Sequence, residues 1–78
     1  MKINENYFVI YDSMNDMYVC GTRNNYIILD TDLEEMIIFS TKENAENYIK
    51  ALKKIKFNDD EMEKHDLSVA KISITSQE

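Results

Sequence analysis

Residues 31–52 read TDLEEMIIFSTKENAENYIKAL, and the periodicity of the chain changes within this stretch. Thr31 and Asp32 are residues that bond their own backbone in turns, with Glu34 and Glu35 in the same acidic bend. Met36, Ile37, Ile38 and Phe39 then form an apolar run with the length and composition of a short strand. From Ser40 onward the spacing is helical. Ser40 fits an N-cap, with Glu43 three residues on as in a capping box. Ala45, Tyr48, Ile49, Leu52 and Ile55 fall at i, i+3, i+4, i+7 and i+10, which is one stripe. A helix over about 41–55 with a single apolar stripe must lay it on another layer, so this stretch predicts a strand followed by a helix across one sheet face. Lys50, Lys53, Lys54 and Lys56 lie in its last turns, where positive charge complements the helix dipole.

Working outward, YFVIYD at 7–12 and MYVC at 17–20 alternate β-favouring side chains around the turn formers of SMND, so residues 7–20 predict a hairpin. Gly21, the only glycine, ends or bends the second strand. TRNN turns the chain into YIILD at 26–30, a third strand, and MIIF is the fourth. FNDDEMEKHD at 57–66 has no sustained apolar period and predicts a loop, or one helical turn capped by Asn58 or Asp59. LSVAKISIT at 67–75 closes the chain as a strand, with Ala70, Ile72 and Ile74 on one face and Lys71, Ser73 and Thr75 on the other, before a frayed SQE tail. The expectation is an α+β fold: a four- to five-stranded, mainly antiparallel sheet with one amphipathic helix packed on one face. Its 78 residues predict a single domain with an ordered core over about 7–75 and a small hydrophobic interior.

The net charge is −6, which disfavours direct nucleic-acid binding. Residues 42–56 hold five Lys and two Glu, a local +3 that leaves −9 on the remainder. The acidity gathers in two clusters, Asp30, Asp32, Glu34 and Glu35, then Asp59, Asp60, Glu61, Glu63 and Asp66. No apolar run reaches the roughly 18 residues of a membrane span, and MKINENYF lacks the core of a signal peptide. With one cysteine and no internal disulfide, the expected compartment is a reducing cytoplasm.

The sequence predicts no catalytic constellation, metal site or cofactor. Cys20 and His65 are the sole thiol and imidazole. Cys20 sits in a strand pattern as a packing residue, and His65 in EKHD reads as solvated. CxxC, HxxxH and HExxH spacings are missing, neither acidic cluster matches an EF-hand loop, and one glycine cannot build a phosphate cradle. What remains is recognition. Two acidic arrays can imitate nucleic-acid phosphates toward a basic groove. Tyr7, Tyr11, Tyr18 and Tyr26 alternate with apolar neighbours, so some of them must lie on the sheet face away from the helix, where tyrosine makes a good interface anchor. As an ordinary surface, the same acids keep a small domain soluble and the same tyrosines are half-buried strand residues.

In TDLEEMIIF and STKENAENYIKAL the chain resembles a loose group of short proteins encoded by phages and prophages. They share a β-hairpin, an acidic T-D-L-E-E turn, a strand ending in Phe, a Ser or Thr before a Glu-rich helix start, and a closing strand. The resemblance spans about residues 7–75. The group usually carries Ala in place of Met36 and a polar residue in place of Ile37, a departure that suggests extra buried surface at an interface. Small acidic phage proteins of this class include anti-CRISPR inhibitors of host defence, several of which cover a nuclease's basic channel. The resemblance implies a cytoplasmic, non-enzymatic inhibitor in the host cell, bound to a basic host protein such as a CRISPR or other defence nuclease. The alternative is a small structural or regulatory homodimer, pairing by an edge strand or by the uncovered sheet face.

Overall fold

The computed structural model describes residues 2–32, 34–57 and 60–77, and the side chains from 5 to 73 within them. The fold is α+β. Strands β1 (Lys2–Asp12), β2 (Met17–Arg23) and β3 (Tyr26–Asp30) precede helix α1 (Lys42–Lys54), a 3₁₀ turn (Glu61–Lys64) and strand β4 (Leu67–Gln77). They form one four-stranded antiparallel sheet in the order β3-β2-β1-β4. β1 and β4 pair along their whole length, from Lys2↔Gln77 to Asp12↔Leu67. Eleven residues at about 3.3 Å each make a ribbon of roughly 36 Å, which explains a molecule of 49 × 23 × 20 Å. The polar stretch Asn4-Glu5-Asn6 hid the first half of β1 from periodicity, and the expected frayed tail is instead paired through Gln77.

The β2–β3 hairpin turns on Asn24 and Asn25, with φ of 53° and 63°. Positive φ at both positions of a two-residue loop is the type I′ geometry that asparagine tolerates. A bulge at Cys20 shifts the register between Val19 and Gly21. Gly21 has φ +150° and a Cβ there would meet nothing within 4 Å, so the backbone conformation alone calls for glycine. From Val19 onward, ahead of the bulge, β2 departs from β1: the two pair only at Tyr11↔Tyr18 and Asp12↔Met17.

The run MIIF fills the wedge that this opens, and here the expected fourth strand is corrected. Ile37 N–H donates to the Val19 carbonyl at 3.2 Å, while Phe8 and Phe39 exchange N–H···O bonds of 2.8 and 2.7 Å. The contact is an isolated bridge, not a strand. The gap between diverging strands takes three residues before the chain must turn into α1. Phe39 is thereby anchored, and Thr41, not Ser40, is the N-cap: its hydroxyl accepts from the Asn44 amide at 3.1 Å.

The helix stripe packs as its spacing requires, except at its end. Ala45 and Leu52 are buried, Tyr48 and Ile49 half-buried, and Ile55, already past the last turn, is exposed. Tyr48 and Ile49 pack against the core of Ile10, Val19 and Ile27, joined by Leu29, Phe39, Phe57, Met62 and Leu67. Met36 is also buried, inside this fold and so not available as interface surface.

Candidate functional site

Strand alternation assigns every described sheet residue to one of two faces. Ile10 pairs with Val69 and packs in one cluster with Val19, and this face carries the core under α1. The other face holds Tyr7, Val9 and Tyr11 of β1, Tyr18 of β2 opposite Tyr11, and Ala70 and Ile72 of β4. Tyr18 pairs with Asp30, so Asp30, Ile28 and Tyr26 belong to the same face. Ile38, one residue before Phe39 in its bridge with Phe8, joins it beside Val9. All four sequence-selected tyrosines thus share the face that the helix leaves uncovered. Tyr26, Ile28 and Ile38 are exposed there, while Tyr7, Tyr11 and Tyr18 are half-buried around a fully buried Val9.

Carboxylates fix these rings. The Tyr7 hydroxyl donates to Glu5 Oε2 and the Tyr11 hydroxyl to Asp16 Oδ1, and each bond to an anion pushes the phenol pKa up, making the group a weaker acid, so both rings stay neutral. Tyr11 and Tyr18 meet with centroids 5.4 Å apart at a 54° tilt, a favourable aromatic contact. Among the described positions the face carries Glu5 and Asp30 against Arg23, whereas Lys71 pairs with Phe8 and points to the helix side.

The first acidic cluster borders this face. Asp30 and Asp32 serve as turn residues: Asp30 Oδ1 accepts from the Asp32 amide and Asp32 Oδ1 from the Glu34 amide, both at 2.9 Å. Glu34 and Glu35 are exposed. Cys20 lies close by; burial first, then Asp30, Glu35 and Asp32, push its thiol up and away from the reactive thiolate. The second cluster is not one array. Asp60 and Glu63 are exposed, Asp66 accepts from the Ser13 hydroxyl at 2.7 Å, Glu61 is buried, and Asp59 lies outside the described residues, as does the proposed cap at Asn58.

Glu61 belongs to a network that sequence reasoning missed. Asp12, at the end of β1, is fully buried and accepts four bonds: from the Met14 amide at 3.0 Å, the Asp66 amide at 3.1 Å, Asn15 Nδ2 at 2.7 Å and His65 Nδ1 at 2.5 Å. His65 Nε2 meets Glu61 Oε1 at 3.2 Å, and Glu61 Oε2 accepts from the Ile27 amide at 3.0 Å on the outer edge of β3. His65, expected to be solvated, has a side chain only 6% exposed. The arrangement requires a proton on both ring nitrogens or on one of the two carboxyls. Burial raises the Asp12 carboxyl, but the bonds from Asn15, the Asp66 amide, His65 and the Met14 amide outweigh it and hold the group below the ordinary carboxylate range.

An open depression of about 340 Å³ lies beside this network, lined by Lys53, Met62, Glu63, His65, Asp66 and Leu67. Both imidazole nitrogens already face carboxylates, so the ring presents no free lone pair toward it. Among the described residues no group of three or more His, Cys, Asp or Glu is arranged to hold a metal ion, and no helix is long and apolar enough to cross a membrane. The functional reading rests on the residues of the open face, for no protein-family model, no curated protein and no solved structure matches the chain.

Proposed function

We propose that the chain is a non-enzymatic, phage-type inhibitor that docks the open face of its sheet onto a basic protein surface, such as the nucleic-acid channel of a host defence nuclease. The observation that carries this reading is the gathering of Tyr7, Tyr11, Tyr18 and Tyr26 on the one sheet face that α1 does not cover. Tyrosine supplies large contact area with few torsions to freeze, and it recurs among interface anchors. Glu34 and Glu35 at the border steer a cationic partner toward the face, while the lysines of α1 lie on the opposite side and do not oppose the approach. The occupied imidazole and the raised Cys20 thiol favour binding over chemistry.

Titration against a purified RNA-guided nuclease tests this function. Inhibition should be stoichiometric and reversible, and nucleic acid should compete with it. Inactivation that grows with time at a small fraction of one equivalent would replace binding by catalysis.

One observation favours a second reading, the homodimer. Among the described residues, β1 between Lys2 and Tyr7 has a strand neighbour only on the β4 side, and β4 is itself a sheet edge. Open edges pair with other strands. Salt separates the readings: steered binding to a basic partner weakens as salt rises, and an apolar or edge-paired dimer persists in sedimentation.

A further inference from the structure

We infer that the open face selects arginine over basic charge in general, the partner presenting guanidinium groups to the ring–carboxylate pairs Tyr7–Glu5 and Tyr11–Asp16. The inference rests on the binding reading above and names the partner's chemistry at that same face.

Each pair supplies the two surfaces that a guanidinium uses. The ring offers a flat π face on which the planar cation stacks, and the carboxylate beside it offers oxygens to the N–H fork. Tyr7 donates to Glu5 Oε2 and Tyr11 to Asp16 Oδ1, and one such bond leaves most of a carboxylate's roughly four acceptor positions for a second donor. Glu5 and Asp16 are exposed, so their remaining carboxylate oxygens are accessible to a partner. Next to Tyr11 the Tyr18 ring, at 5.4 Å between centroids, widens the aromatic platform, and Asp30 stands opposite Tyr18 in register. An ammonium gains the charge attraction here but neither the stacking nor the fork.

Spacing adds a second constraint. Tyr7 and Tyr11 lie on one strand face, four residues apart, hence about 13 Å at roughly 3.3 Å per residue. That equals the i to i+4 repeat of an extended peptide, whose side chains on one face recur with the same period. The charge balance agrees with a cationic occupant, since the chain outside 42–56 carries −9.

The test compares two labelled octapeptides of equal charge, one of arginine and one of lysine, by fluorescence anisotropy at low salt. The arginine peptide should bind about tenfold more tightly. In the Glu5→Gln, Asp16→Asn double variant that ratio should fall toward one. Both positions are exposed, and asparagine accepts the φ of 52° at position 16, so folding, checked by circular dichroism, should be retained. A Tyr7→Leu, Tyr11→Leu variant should lose the preference by removing the rings. Equal affinities in the wild type would overturn the arginine inference and leave the basic-partner reading standing. Binding of neither peptide would overturn both. A preference that survives the carboxamide variant would overturn the assignment to these two pairs.

Discussion

A fully buried carboxylate is the most demanding residue of this chain, and Asp12 meets the demand with four donors drawn from the hairpin loop and the segment 65–66. Asp12→Asn should cost about 3–5 kcal/mol at neutral pH, because it leaves His65 and Glu61 in a broken buried network. Its pH dependence has a definite sign. A carboxyl depressed in the folded state stabilises fully above its unfolded value of about 3.9, and the contribution is lost as pH falls through the folded value. Urea midpoints of the wild type should therefore drop below about pH 4 and converge on those of Asp12→Asn; parallel curves would show that another group titrates. At Gly21 the cost is conformational: L-alanine at φ +150° should lose about 1–3 kcal/mol, and D-alanine installed by synthesis should melt close to wild type. A neutral L-alanine would remove the case for the bulge geometry. The two asparagines of the β2–β3 turn were legible in the sequence. His65 was not, because Lys64 and Asp66 beside it imitate a solvated loop and its partner Asp12 stands 53 positions away. The one local hint was the i,i+4 spacing of Glu61 and His65.

Helix α1 was readable because its stripe has one period throughout and one layer to cover. Leu52→Ala should cost about 2–5 kcal/mol while Lys53→Ala costs little, since Leu52 is 2% exposed and Lys53 lies at the surface. Equal, small shifts of the denaturation midpoint would reject the assigned helix face. The short run 36–39 was misread for a physical reason. Its composition suits a strand, but whether apolar residues enter a ladder depends on the width of the gap offered by other strands. Here β2 has left β1 by Val19, and the Val19 carbonyl takes the Ile37 amide while Phe39 bridges to Phe8. The N-terminal half of β1 was missed for the converse reason: Asn4, Glu5 and Asn6 carry no β signal, and pairing with β4 alone makes them a strand. The shared face of the tyrosines could be anticipated strand by strand, but not across strands, because register decides which faces coincide.

Across the molecule, charge and aromaticity are segregated, with the lysines of α1 on one side and tyrosines bordered by carboxylates on the other. If Glu34 and Glu35 steer the partner, Glu34→Lys with Glu35→Lys should leave the melting midpoint nearly unchanged, or raise it by relieving repulsion, and abolish binding to a basic surface at low salt. Unchanged binding would favour the homodimer. Isoleucine methyl groups report both sides of the sheet independently, Ile28, Ile38 and Ile72 from the open face and Ile10, Ile27 and Ile49 from beneath the helix. In methyl NMR spectra of the chain titrated with a peptide of mixed arginine and lysine, the first three should shift with saturation and the second three should stay in place. Shifts confined to Ile10, Ile27 and Ile49, or no shift in any of the six, would contradict docking through the open face.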